Sequence, residues 1–169
     1  MRIFAIIVTF GALVSASSLT CAGDENSAAA LPTRKAGLWE LKTSMDEGSG
    51  SRDQTMKMCV DEKMEANTVL ASAAEHKSNC EGYKVKADGV ATVVEADCVF
   101  NKRKVVSTTT MTGDFKTAFE VKINSTTSNP EAKDQSVVIK RTISQVGKYL
   151  AESCGDLKPG EAEGTDGTR

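Results

Sequence analysis

Two cysteines, Cys80 and Cys98, bracket a stretch that alternates apolar and polar side chains about one turn signal. Asp88-Gly89 supplies the turn, because a type I′ hairpin needs φ > 0 at both central positions and Asp-Gly tolerates it. A two-residue loop at 88–89 sets Val85 opposite Thr92 and Tyr83 opposite Val94, so that the apolar residues of both strands share one face. Cys80 and Cys98 then fall one residue out of register. A β-bulge near Gly82 would bring them opposite and make a cross-strand disulfide possible. Closing that loop contributes about 3 kcal/mol in the chain-entropy view.

The N-terminus has the three-part form of a secretory signal peptide over residues 1–22: Met1-Arg2, an apolar run, then small residues. The run is shorter than the roughly 20 apolar residues a spanning helix needs. Cleavage after Ala22 or after Ala30 fits the small-x-small rule. Cys21 offers an alternative, lipid anchoring to the membrane, but Ser18 and Thr20 are poor matches to such a site. Once the signal is removed, four cysteines remain: Cys59, Cys80, Cys98 and Cys154. An even number in an exported chain argues for two disulfides. The hairpin favours Cys80–Cys98, which leaves Cys59–Cys154. No cysteines stand in a C-x-x-C spacing and the only histidine is His76, so no metal or cofactor is expected.

The formal net charge of −2 gives no reason to invoke nucleic acid. Residues 23–33 read as a flexible leader, 34–158 as a single β-rich domain and 159–169 as a disordered tail. In 37–45 and 54–60, period-two alternation predicts strands with Trp39, Leu41, Met56 and Met58 facing one way. Asp61 is an N-cap, and Ala66, Val69, Leu70 and Ala73 follow at helical spacing, so 61–74 is a helix. His76 then falls in a polar loop. Strands over 105–112 and 118–123 meet at Gly113-Asp114, a type II′ turn that pairs Val106 with Val121 and Thr108 with Phe119. A last strand covers 135–145. The sum is a mainly β (α+β) chain: a curved antiparallel meander sheet or half-barrel, with one helix and two disulfides.

Several of these residues together carry a resemblance. Gly37-Leu38-Trp39-Glu40, the cysteine ending the second strand at Cys59, the pair Cys80 and Cys98, and Cys154-Gly155-Asp156-Leu157-Lys158-Pro159 resemble the exported bacterial proteins grouped as domain of unknown function 3617. Where that group often carries a Trp before its last cysteine, this chain has Tyr149. The resemblance implies a Gram-negative periplasm and brings no established activity.

Three functions follow from these features. The first is a non-catalytic binding or accessory domain of the cell envelope. It would take an unknown small apolar or amphipathic ligand on a sheet face that includes Trp39, Met56, Met58, Tyr83 and Phe119. The alternative is a structural or protein-interaction module with an envelope protein as partner. An enzyme ranks last, because one histidine, paired cysteines and scattered carboxylates make no nucleophile–base set.

Overall fold

A computed structural model describes residues 31–129 and 138–165. The expected signal peptide, Cys21 and most of the leader lie outside the described residues. Among the described residues, eight strands and one helix run in the order β1 (Gly37–Asp46), β2 (Ser51–Val60), α1 (Glu62–Asn79), β3 (Cys80–Asp88), β4 (Ala91–Phe100), β5 (Arg103–Gly113), β6 (Ala118–Ser128), β7 (Ile139–Ala151) and β8 (Ala162–Gly164). All pair antiparallel in one open sheet, ordered β3-β4-β5-β6-β7-β1-β2-β8. The mainly β fold expected from the sequence is therefore present. The choice between an open sheet and a closed barrel falls to the open form, with β3 and β8 as its edges.

The central hairpin forms with a shifted turn. Asp88 pairs with Ala91, Val85 with Val94 and Tyr83 with Ala96, so Gly89-Val90 is the two-residue loop rather than Asp88-Gly89. Gly89 at φ 60° takes the first central position, as a type II′ turn requires, and leaves Val90 92% exposed. The shift is two residues, so every side chain keeps its face. The bulge falls between Cys80 and Gly82, and Cys80 and Cys98 are bonded. Cys59 and Cys154 form the second disulfide.

The β5–β6 connection departs further from expectation. Gly113 pairs with Phe119 and Val106 with Thr126, so five residues, 114–118, lie between the last paired positions instead of a two-residue turn at 113–114. The cause is Asp114. Its Oδ1 accepts from the backbone N–H groups of Lys116, Thr117 and Ala118 at 2.8, 2.7 and 3.2 Å. These bonds hold a wider loop and tuck Phe115, at φ 54°, into the core. Pairing changes by an odd number of residues, so β5 shows Val105, Ser107, Thr109 and Met111 to the core face, and Val106 is left 46% exposed outside.

Helix α1 starts as expected, with the Asp61 carboxylate accepting from Met64 N–H at 2.6 Å. It runs five residues further than expected, to Asn79, because 75–78 contain neither Gly nor Pro. His76 and Lys77 in its last turn suit the negative end of the helix dipole. His76 is therefore helical and not in a loop. The expected apolar stripe is only partly used. Val69 and Ala73 are half-buried, whereas Ala66 is exposed and Leu70 is 64% exposed.

Residues 159–169 were expected to be a tail, yet Ala162–Gly164 pairs with β2. Gly160 N–H donates to Cys59 O at 2.9 Å and Cys59 N–H donates to Glu161 O at 3.1 Å. The disulfide to Cys154 brings this Glu- and Gly-rich segment beside β2, where backbone pairing needs no apolar side chains.

Candidate functional site

Register alone arranges the sheet into cross-strand rows on the face that carries Trp39. One row is Met58, Trp39 and Tyr149; the next is Met56, Leu41, Gly147, Phe119 and Gly113. Further along are Val85, Val94, Thr109, Ile123, Ile143 and Met45, and then Tyr83, Ala96, Ser107, Ser125 and Arg141. All five residues proposed for a ligand face, Trp39, Met56, Met58, Tyr83 and Phe119, thus lie on one side of one sheet.

They do not form one surface. Trp39 (0% exposed) and Phe119 (4%) join Leu41, Val60 and Phe115 in the core. Phe115 stacks on Phe119 with centroids 4.9 Å apart, and Trp39 meets Phe119 and Tyr149 at 5.4 and 5.5 Å. Trp39 Nε1–H donates to Lys35 O at 2.8 Å, which satisfies its one polar atom. Met56 and Met58 are half-buried against this cluster, as is Met64 of α1. Trp39 and Phe119 therefore serve packing and present no surface to a ligand. Tyr83 stands apart, with its ring 4.4 Å from that of His76 and its hydroxyl pushed up by burial.

Helix α1 divides the face. It packs on β3 and β4, where Val85, Val94, Ala96 and Cys98 are buried. At its N-terminal end it is held by Arg34, whose Nε and Nη2 donate to Glu65 at 3.0 and 2.7 Å and whose backbone N–H donates to the same carboxylate at 2.9 Å. Burial alone would push the Glu65 carboxyl up. The Arg34 hydrogen bonds and charge prevail and hold it below its ordinary value.

Beyond the helix, Thr109, Ile123, Ile143 and Met45 run side by side across four strands, and all are half-buried. The adjoining row ends in Ser107, Ser125 and Arg141, and Arg141 pairs with Glu47. An apolar strip bordered by hydroxyls can take a molecule with an apolar body and a polar end. Sequence reading placed Trp39 and Phe119 in that role because aromatics are conspicuous. The Ile123–Ile143–Met45 strip was missed because it needs the β6–β7 and β7–β1 registers.

A second cluster lies at the helix end. His76, Cys80 and Cys98 bring ligand-type atoms within 4.8 Å of one another. His76 and Cys80 border a cleft of about 510 Å³ lined by Ala73, Ala74, Lys77, Glu81 and Tyr83 as well. Sequence reading saw no partner for His76, because the expected loop left its position open. Its spacing of four before Cys80, across a helix end, was the available signal. Both cysteine pairs fit an oxidising compartment. Among the described residues no helix is long and apolar enough to cross a membrane, which says nothing of strands.

No curated protein and no solved structure matches this chain. The paired cysteines, the Trp39 strand and the approach to Cys154 all fall inside a family-level match over residues 34–154, and the chain belongs to the family described as protein of unknown function (DUF3617).

Proposed function

We propose that this protein is an exported, non-catalytic binding or accessory domain of the cell envelope, working in the periplasm and taking an apolar or amphipathic ligand. One observation carries the reading. The half of the Trp39 face beyond α1 keeps Thr109, Ile123, Ile143 and Met45 only half-buried, while α1 packs on β3 and β4. A row of apolar side chains on an open sheet face is the kind of surface that gains from covering, at roughly 25 cal/mol per Å² of apolar area. The two disulfides support export into an oxidising compartment.

The test is native mass spectrometry of the protein isolated from its cell envelope, followed by solvent extraction. A reproducible lipid-sized or other apolar adduct is expected, and Ile143→Arg should remove it while leaving the disulfides intact. An adduct that survives Ile143→Arg and Ile123→Arg together would sink the proposed strip.

A second reading, a protein-interaction module, has β3 in its favour. That strand is nine residues long and forms a sheet edge, so its outer backbone groups could accept a partner strand. Lys84 and Lys86 are exposed along it and work against promiscuous pairing. The open strip is therefore ranked first.

A further inference from the structure

We propose that reduction of the Cys80–Cys98 disulfide turns the end of α1 into a binding site for a zinc-type d¹⁰ cation, with His76 as the third ligand. The site does not depend on what the Trp39 face binds.

The geometry comes from a helix end abutting a bulged strand. Cys80 is the C-cap of α1, and its N–H donates to His76 O. The bulge after Cys80 then sets its side chain across from Cys98 on β4. One helical turn and one strand pair thus place an imidazole and two sulfurs within 4.8 Å of one another. A tetrahedral zinc ion, with Zn–S near 2.3 Å and Zn–N near 2.0–2.1 Å, holds such atoms about 3.5–3.8 Å apart. Breaking the S–S bond frees both sulfurs to rotate toward that spacing.

The histidine is already prepared for ligation. Its Nδ1 lies 2.6 Å from Ser72 O, which can only accept, so Nδ1 carries the proton. In the neutral ring Nε2 then holds the lone pair. A metal-ligating histidine commonly donates its other nitrogen to a backbone carbonyl in this way, which fixes ring and tautomer. The Tyr83 ring, 4.4 Å away, holds the imidazole from its other side.

The cleft gives access to this disulfide. Cys80 is half-buried and lines the open cleft with Lys77 and Glu81, while Cys98 is buried. A dithiol reductant attacks Cys80 from the cleft as a thiolate, and its second thiol resolves the mixed disulfide. The reductant leaves as its own disulfide, and Cys80 and Cys98 become thiols, having gained two electrons and two protons. The cation then displaces the two thiol protons. His76 adds a neutral nitrogen, and the fourth position is left to water.

Cobalt(II) alone, a spectroscopic stand-in for zinc, tests the proposal on the full chain. The protein is reduced anaerobically with a water-soluble phosphine, desalted and titrated, with far-ultraviolet circular dichroism followed in parallel. Reduced wild type is expected to bind one cobalt per chain, with thiolate-to-metal charge transfer and four-coordinate visible bands, and the oxidised protein neither. His76→Ala, which retains both disulfides, should weaken binding by about tenfold or more with one ligand of three lost. The pair Cys80→Ser and Cys98→Ser should abolish the charge transfer, and Cys59→Ser with Cys154→Ser should keep it. Equal binding by wild type and His76→Ala, or charge transfer surviving in the Cys80/Cys98 pair variant, would overturn the proposal. So would a reduced wild type that takes up no cobalt, whether its sheet is kept or lost.

Discussion

Gly147 on β7 lies directly opposite Phe119 on β6, and the Phe119 ring occupies the space a side chain at 147 would need. A Cβ there would meet three ring atoms of Phe119, the farthest at 2.7 Å. The glycine is buried, so the missing methyl is what lets Phe119 lie over the sheet and stack on Phe115. Gly147→Ala should therefore destabilise the domain by about 1–3 kcal/mol through overpacking. Urea unfolding would measure it. Pairing the change with Phe119→Leu should recover part of the loss, since the smaller side chain frees the volume. If the two losses simply add, the ring and the glycine are not in conflict.

The Asp114 loop makes a pH-dependent prediction. The carboxylate accepts three backbone N–H bonds and the Thr117 hydroxyl, and these hold it far below its ordinary value of 3.8. A group with a lowered folded-state pKa stabilises above its unfolded value, and that stabilisation fades as pH falls through the folded one. Asp114→Ala should accordingly lower the melting temperature at neutral pH, and the gap to wild type should narrow as pH is taken well below 3.8. A gap that stays constant down to strongly acid pH would show that the loop does not depend on the charged form.

Glu65 gives a second titration with the same sign and a different site. It is the only buried charged residue among the described residues, and it is neutralised by Arg34 from the segment before β1. The Glu65 carboxyl is held below its ordinary 4.5, so its contribution is present above that value and is lost as pH falls beneath it. Arg34→Ala leaves a buried carboxylate without its partner and should cost about 1–3 kcal/mol. Glu65→Gln keeps the shape and should lose less. The ordering Arg34→Ala worse than Glu65→Gln, read from chemical denaturation at neutral pH, is the check.

Tyr149 points the other way. Its hydroxyl is buried with no hydrogen-bond partner among the described residues, while its ring packs on Trp39 and lies under the Lys35 ammonium at 4.3 Å. An unsatisfied buried hydroxyl carries a desolvation cost that a phenyl ring avoids. Tyr149→Phe should therefore be neutral or stabilising, and Tyr149→Ala should be destabilising by about 3–5 kcal/mol. Thermal melts of the two variants side by side decide it.

What could be read in the sequence was local and periodic. Alternation alone placed Trp39, Leu41, Met56 and Met58 on one face, and Gly82 marked the place of the bulge although the expected register was two residues off. What could not be read was set by contacts distant in sequence or by side chains acting on the backbone. Asp114 widened a turn that Gly113-Asp114 alone would have kept tight, and this reversed the faces of β5. The tail strand β8 has no apolar signature and depends on β2 for its pairing. The ligand strip shared that fate, because Ile123 meets Ile143 and Met45 only once the β6–β7 and β7–β1 registers are known. His76 was hidden by a helix end that ran past the last apolar residue of its stripe.

The two disulfides should differ in what their removal does. Cys80–Cys98 joins residues 18 apart, and Cys59–Cys154 joins residues 95 apart. In the chain-entropy view, loops of these sizes stabilise by about 3 and about 4.7 kcal/mol, so the longer one should matter more. Their local effects also differ. Cys80–Cys98 reinforces a hairpin that backbone pairing already holds. Cys59–Cys154 brings the C-terminal segment to β2, where Leu157 is buried and only three residues of β8 pair. Replacing Cys59 and Cys154 with Ser should therefore expose Leu157, speed chymotryptic cleavage after it and release β8, in addition to the larger global loss. Replacing Cys80 and Cys98 should lower global stability with no such local cleavage. Limited chymotrypsin digestion of both variants, followed by mass spectrometry, separates the two effects. Equal cleavage after Leu157 in both would mean that β8 is held by its own pairing and not by the disulfide beside it.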